Sequence, residues 1–187
     1  ICQCIRLWRA GKPLPLPQEK KERFLGLWRD AFMHRRLLKT PGGLIHFCIF
    51  WGFVFLFFGT ATAVLDWDIA HYIFDVRLLQ GNVYLVYKFI LDLAGLFSLI
   101  ALAVAAWRRF ALKGKRLERS WRFAWILTSL ALIILTGFIV EGLRLAAQQP
   151  EWAVYSPVGY VFSLIFLKMF TPEQLQGAHF TWWLVHG

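Results

Sequence analysis

The residue best suited to chemistry is His46, an imidazole in an uncharged apolar stretch that runs from Pro41 to Leu65. About 20 apolar residues span a bilayer as a helix, and this stretch is longer than that. Lipid cannot solvate an imidazole, so a polar group at this depth is a functional hypothesis by default. Two interpretations are open: an axial ligand to a b-type haem, or a histidine that bonds a neighbouring helix or the membrane interface.

Four further histidines bear on the haem hypothesis. Two axial nitrogens of one haem lie roughly 4 Å apart, on opposite faces of the ring. His179 and His186 share a helix face but are separated by about 10 Å along its axis, so they cannot clamp one haem. We expect levels about 15–20 Å apart for His46 and His186, which gives His46 a partner beyond this sequence. His71 is the candidate partner for His186, although interfacial roles suit His71 and His179 better. His34, among arginines, is expected to be solvated.

Two pairs of charged residues lie within or next to apolar stretches. Lys88 and Asp92 are spaced i,i+4, and Glu141 and Arg144 are spaced i,i+3, so each pair shares a helix face. Charges at membrane depth pair with one another or line a functional cavity. The functional interpretation is a quinone headgroup pocket with a proton path, or a haem propionate partner for Arg144. The alternative is a structural salt bridge.

Composition places these residues in a membrane protein. Apolar residues make up 58% of the 187 residues, and the formal net charge is +10. Ten of the 21 Lys and Arg residues lie in residues 1–40 and seven in residues 108–122, next to apolar stretches. Clustered basic residues beside membrane spans mark cytoplasmic loops. We therefore expect a multi-pass protein of the cell (inner) membrane, with the lipid bilayer rather than nucleic acid as its surroundings.

The elements that must position these side chains form an all-α polytopic transmembrane bundle. Residues 1–40 are predicted to be a basic cytoplasmic segment with an amphipathic surface helix, and residues 41–187 the bundle. The apolar residues 158–170 are too few to cross, so they predict a surface or re-entrant helix at the outer side. The spans are expected at about 43–65, 83–107 and 123–143, with the start of a last span at about 178–187.

Cysteine spacing argues against an iron–sulfur site in this sequence. Cys2 and Cys4 form a CQC triplet, and Cys48 lies alone in the first apolar stretch. Neither arrangement has the spacing that ligates iron–sulfur clusters. The sequence begins at Ile1 and ends within an apolar stretch that has barely begun. We therefore expect an internal piece of a longer protein.

Several motifs resemble one family of membrane proteins. The segment GGLIHFCIFWGFVFLFFGTATAVLDWD is similar to a helix of a cytochrome b family. That family contains the nitrate reductase gamma subunit, the membrane component of heterodisulfide reductase, and the membrane part of fused bacterial (Fe–S)-binding oxidoreductases. The later segments TGFIVEGLR, YSPVGY and FTWWLVHG match the fused bacterial proteins in the same order, so the resemblance extends over the whole sequence.

The resemblance implies five transmembrane helices with haem b between the second and the fifth. His46 matches the second-helix ligand and His186 matches the outer ligand of the fifth helix, so both would bind haem iron. The nitrate reductase gamma pattern has another histidine about three turns along the second helix, where this sequence has Leu56 to Thr60. The number of haems, one or two, is therefore open.

The resemblance also implies a function. The chain would be the cytochrome b portion of a quinone-linked oxidoreductase, passing electrons between cytoplasmic 4Fe–4S clusters and membrane menaquinone. Those clusters would belong to a missing or partner domain. The soluble partner would be an electron-transferring flavoprotein or a dithiol–disulfide couple. The competing hypothesis is a non-redox membrane anchor whose histidines are only packed.

Overall fold

The computed structural model describes residues 20–112 and 120–186, together with Cys4 and Ala10. The basic residues predicted for the inner side at 1–19 and 113–119 otherwise lie outside this described part. The described residues are helical throughout and contain no strand. Three of the helices are long and apolar enough to cross a membrane. The prediction of an all-helical chain with long apolar helices is confirmed, whereas the five-helix haem-binding bundle stays a prediction.

The helices have the following bounds. The main ones are α1 (Lys20–Leu27), α2 (Pro41–Val64), α3 (Gly81–Phe110), α4 (Trp121–Gln148), α5 (Pro157–Met169) and α6 (Pro172–His186). Short π-helical segments follow α1 at Trp28–Phe32 and α2 at Leu65–His71, with one further α-helical turn at Tyr72–Phe74. Single 3-10 turns precede α2 at Leu37–Lys39 and α5 at Glu151–Tyr155.

Local sequence explains where two of these helices begin. Thr40 caps α2 by accepting a hydrogen bond from the backbone N–H of Gly43 at 3.0 Å, with Pro41 in the first helical position. At α6, the Thr171 hydroxyl and the Gln174 side chain accept reciprocal backbone hydrogen bonds at 3.4 and 3.0 Å. This reciprocal arrangement is a capping box. It starts α6 at Pro172, six residues before the predicted start of the last span.

The long helices are antiparallel neighbours, α2 against α3 and α3 against α4. A Cβ built on Gly59 would lie 2.5 Å from Leu91 Cδ2, so α2 and α3 approach closely at this glycine. Small residues allow such approach between membrane helices, where packing replaces the hydrophobic effect. Large apolar side chains such as Phe57 and Phe58 stay exposed instead, which suits contact with lipid.

Two ends of the bundle follow from this arrangement. We call one the basic end: the start of α2 meets the end of α3 there, and a Cβ on Gly42 would lie 3.3 Å from Arg108 Nη1. Arg109 also stacks on the Phe123 ring at 3.9 Å, which brings in the start of α4. Both basic clusters thus border the same end. The opposite end, with residues 65–80 and 149–171, is called the distal end.

The last two helices, α5 and α6, run in different directions relative to α4. Helix α5 crosses α4 near one level, because Phe162 contacts both Phe138 and Gly142. Helix α6 runs antiparallel along α4, from Leu175 beside Leu143 to His186 beside Thr136. The short α5 therefore stays at the distal end, while α6 turns back toward the basic end.

The acidic segment after α2 folds onto itself at the distal end. The Asp66 carboxylate is buried and accepts hydrogen bonds from the backbone N–H groups of Leu78 and Leu79, at 2.5 and 2.9 Å. Arg77 lies 3.6 Å from the same carboxylate and stacks over the Trp67 ring at 3.8 Å. These contacts close the connection between α2 and α3.

Candidate functional site

A cross-helix ion pair lies near the distal end of α3 and α4. Lys88 Nζ is 2.7 Å from Glu141 Oε1, and the two side chains are only 17% and 18% exposed. Arg144 binds the same carboxylate in a bidentate manner, with Nη2 at 2.9 Å from Oε1 and Nε at 3.1 Å from Oε2. Glu141 is therefore held between two cations. Bidentate Arg–carboxylate bonding fixes geometry as well as charge.

The predicted Lys88–Asp92 pairing is replaced by other partners. Asp92 is buried and accepts hydrogen bonds from the backbone N–H groups of Val158 at 2.6 Å and Gly159 at 3.2 Å. These N–H groups lie at the start of α5 and have no acceptor within their own helix. The helix dipole also favours a carboxylate at this position. Asp92 thus ties α5 to α3, and Lys88 binds Glu141 instead. Sequence spacing within α3 could not reveal partners on other helices.

A cavity of about 600 Å³ opens beside this ion pair. We call it the distal cavity. Its walls are mostly apolar side chains from α2, α3 and α4, with charged groups on one side. The residues that line it are Phe53, Leu56, Phe57, Gly59, Thr60, Ala63, Tyr87, Lys88, Leu91, Asp92, Gly95, Ile133, Ile134, Gly137, Phe138, Val140, Glu141, Ser156 and His186.

His186 reaches the distal cavity from α6. Its Nδ1 lies 2.9 Å from Thr136 Oγ1 on α4. The ring edge faces Gly137, where a Cβ would stand 3.3 Å from Cε1 and 3.5 Å from Nε2. The structure therefore brings together His186 and the residues predicted for a quinone pocket. Arg144 binds Glu141 but does not itself line the cavity.

The other predicted imidazole, His46, lies elsewhere. It is exposed on α2 and is not among the residues that line the distal cavity. His186 lies beside Gly137 and shares the distal cavity with Leu56 of α2, which is ten residues beyond His46. The axial offset between His46 and His186 is therefore about 15 Å, at 1.5 Å per residue, in agreement with the predicted 15–20 Å. That offset still exceeds the spacing of two ligands on one iron.

His34 is a residue for which the sequence prediction is wrong. The neighbouring arginines predict a solvated side chain, but His34 is 5% exposed and its ring centroid lies 5.7 Å from that of His46. A backbone φ of 51° at His34 turns the chain back onto α2, where the ring also contacts Phe50 at 4.8 Å. Its Nδ1 is 2.8 Å from the carbonyl oxygen of Phe32. The local composition contains no signal of this turn.

The two remaining histidines lie outside the distal cavity. His71 follows α2, with Nδ1 3.6 Å from Asp75 Oδ1 and its ring edge-on to Trp67. His179 is half-buried on α6, two turns before His186. Neither is brought to His186 as a second axial ligand.

A b-type haem can be tested against these positions. His186 offers an imidazole at the cavity wall, and the missing Cβ of Gly137 leaves room at the ring edge, so this side fits. Across the cavity, Leu56 and Thr60 occupy α2 where a second histidine would be needed. Within the described ranges no three His, Cys, Asp or Glu side chains cluster as a metal site. Among the described residues that line the distal cavity, His186 is the one histidine.

Comparison with known proteins gives two relatives. Over 164 residues the chain is 30% identical to the EtfAB:quinone oxidoreductase of Syntrophomonas wolfei subsp. wolfei (strain DSM 2245B / Goettingen). Over 159 residues it is 28% identical to the probable iron-sulfur-binding oxidoreductase FadF of Bacillus subtilis (strain 168). The chain is similar to a segment of two bacterial oxidoreductases.

These alignments cover most of this chain but little of the relatives. They include 82% and 83% of the chain, yet only 22% of each relative. The chain thus spans about a fifth of the length of the proteins it matches. No protein-family profile matches the chain, and no solved structure matches it. The relationship supports a redox role, while the cytochrome b family and its haem remain predictions.

Proposed function

We propose that this chain is the membrane portion of a quinone-linked iron–sulfur oxidoreductase. Electrons would pass through haem b, between 4Fe–4S clusters of a partner domain at the basic end and menaquinone at the distal end. Both relatives are oxidoreductases, one named for a quinone and the other for iron–sulfur binding. The first name also supports an electron-transferring flavoprotein as the soluble partner.

The observation that carries this proposal is the composition of the distal cavity. A quinone has an apolar ring and tail with two carbonyl oxygens. Such a ligand suits an apolar cavity that has a few converging polar groups. The distal cavity joins apolar walls from three membrane-length helices to Lys88, Glu141 and His186. Charged groups at this depth are costly unless function or pairing retains them.

Lys88 is the proposed hydrogen-bond donor to the quinone headgroup. Its ammonium carries three N–H donors, and the contact with Glu141 uses one of them. The remaining donors are available to a carbonyl oxygen in the cavity. Asp92 acts differently: it holds the start of α5, and with it Ser156, against the cavity. We therefore assign headgroup binding to Lys88 and positioning to Asp92.

Glu141 is the proposed proton carrier, and Arg144 positions its carboxylate. Reduction of a quinone to a quinol takes two electrons from the iron–sulfur partner and adds one proton to each carbonyl oxygen. Lys88 and Glu141 are titratable groups that line the cavity at the proposed headgroup position. Arg144 links Glu141 to Gln148, 3.5 Å away near the end of α4. Arg144 and Gln148 thus orient Glu141 toward the distal end of α4, and quinol oxidation would release protons first to Glu141.

His186 and His46 are the residues that would hold haem b. The haem supplies one-electron transfer through the membrane when bound. Gly137, beside His186, and Glu141 are four residues apart on α4, so the imidazole and the carboxylate differ by roughly 6 Å in level. That proximity favours electron exchange between the His186 region and a quinone at Lys88. The second axial ligand would belong to another part of a longer protein.

A spectrum of the purified full-length protein tests the proposal. We expect a b-type reduced-minus-oxidised difference spectrum, and re-oxidation of the reduced haem when a soluble menaquinone analogue is added. Together, these two results would support both a haem site and a quinone site in this protein. Absence of b-type absorbance, or a haem that does not respond to the quinone, would contradict the proposal. The first result would favour the non-redox anchor.

A further inference from the structure

Thr136 makes several polar contacts on the side of α4 that meets α6. Its Oγ1 lies 2.9 Å from the carbonyl oxygen of Leu132 and 3.0 Å from that of Ile133. The same oxygen lies 2.9 Å from His186 Nδ1 on α6. One hydroxyl therefore touches two backbone acceptors within its own helix and one imidazole nitrogen from another helix.

These contacts favour a proton on His186 Nδ1, because Thr136 has two carbonyl acceptors for its own hydrogen. A hydroxyl has one hydrogen to donate and two lone pairs that accept. Both carbonyl oxygens can only accept, and hydroxyl donation to such carbonyls is common within helices. With its hydrogen on a carbonyl, Thr136 Oγ1 accepts from His186 Nδ1–H. Nε2 of the neutral ring is then unprotonated and keeps a lone pair.

The neighbouring residue sets the ring's position. Gly137 faces the other edge of the imidazole, where a Cβ would be only 3.3 Å from Cε1 and 3.5 Å from Nε2. Because no side chain occupies that place, the ring lies against the backbone of α4 while Nδ1 reaches Thr136. Adjacent positions on α4 thus supply a hydrogen-bond partner and the space for the ring.

We infer that Thr136 is the positioning residue for His186, fixing the Nδ1–H tautomer so that Nε2 is presented as the iron ligand. This inference rests on the proposed haem function. A hydrogen bond from the second ring nitrogen fixes orientation and raises the basicity of a metal-bound histidine. Stronger donation favours oxidised iron. Loss of the bond should therefore weaken haem binding and raise the midpoint potential of the haem that His186 ligates.

The test uses four variants of the full-length protein. Thr136→Val removes the hydroxyl and keeps the branched shape, whereas Thr136→Ser keeps the hydroxyl. Thr128→Val makes the same chemical change on α4 two turns away. His186→Ala identifies the haem signal that depends on this ligand. Haem content, midpoint potential and the EPR spectrum of the oxidised haem are measured for each variant.

We expect Thr136→Val to weaken haem retention roughly 10- to 100-fold at the site that His186→Ala eliminates. The remaining haem should show a raised potential and altered EPR positions, while Thr136→Ser and Thr128→Val match the parent protein. If Thr136→Val does not accumulate, Thr136→Ala against Thr136→Ser gives the same contrast with a strong helix former.

A Thr136→Val protein with unchanged haem content, potential and EPR spectrum would overturn the inference alone. A His186→Ala protein that keeps all of its haem would overturn the inference together with the assignment of His186 as a haem ligand. Absence of b-type absorbance from the parent protein is a different result, because it overturns the proposed function together with this inference.

Discussion

The distal cavity and the His46 face of α2 differ in how completely the described residues satisfy their polar groups. At the cavity, Glu141 binds two cations and Asp92 accepts two backbone hydrogen bonds. His46 is exposed, and its ring contacts are His34 and Phe50. The charged groups of the cavity are therefore paired within the described part of the chain, whereas the His46 imidazole is exposed.

The largest expected effect follows from removing His46. His46→Ala should abolish the haem that His46 ligates and leave the protein inserted in the membrane, because little packing depends on an exposed ring. All b-type absorbance is lost if the protein has one haem, and about half if it has two. The measurement is the reduced-minus-oxidised spectrum, with His71→Ala as the matched control. Full b-type absorbance in the inserted His46→Ala protein would refute the assignment.

Breaking the cavity's ion pairs should cost stability. Glu141→Gln leaves the Lys88 and Arg144 charges without their carboxylate at low exposure. Removing one partner of a buried pair costs about 3–5 kcal/mol. Thermal unfolding in detergent should therefore show a clear loss for Glu141→Gln, and little change for Glu151→Gln at an exposed position. Equal unfolding temperatures for the two variants would show that Glu141 is not held as the structure indicates.

A smaller loss is expected from the tie between α3 and α5. Asp92→Ala deprives the backbone N–H groups of Val158 and Gly159 of their acceptor. Hydrogen bonds to charged groups contribute about 1.5–3 kcal/mol. We expect destabilisation of that size, with faster proteolysis near α5. Asp92→Asn, which keeps one acceptor oxygen, should retain part of the stability. An Asp92→Ala protein as stable as the parent would contradict the capping role.

The smallest effect distinguishes packed from free glycines. Gly59→Ala places a methyl group 2.5 Å from Leu91 Cδ2, so the flexible end of Leu91 must move. We expect a loss of about 1 kcal/mol from this overpacking. Gly177→Ala on α6 meets nothing within 4 Å and should be neutral or stabilising, since alanine is the better helix former. The opposite order of stabilities would contradict the α2–α3 contact.

Hydrophobic patterning predicted the long helices because membrane spans depend on local composition alone. The structure has α2 at Pro41–Val64 and α3 at Gly81–Phe110, close to the predicted 43–65 and 83–107. The start of α6 was missed by six residues, although Thr171 and Gln174 form a capping box that the sequence contains. The predicted start depends on apolar content. Because the first turns of α6 are polar, that criterion places the start too late.

The partners of charged residues were less predictable. Lys88, Asp92, Glu141 and Arg144 were all identified as candidates, since isolated charges in apolar helices are conspicuous. Their pairings depend on which helices are neighbours and on their relative rotation, and a single helix contains neither. His34 illustrates the same limit, because its burial results from one left-handed backbone position. Thr136 had no sequence signal, since its role depends entirely on the approach of α6.

The most direct test of the central claim is quinone turnover by a Lys88→Met variant of the full-length protein. Lys168→Met, an exposed lysine on α5, is the matched control. The account predicts that Lys88→Met keeps its haem content but loses quinone-linked turnover, as should Arg144→Met to a lesser degree, while Lys168→Met stays active. Unchanged turnover in Lys88→Met, or loss of haem and fold together, would contradict a quinone headgroup site in the distal cavity.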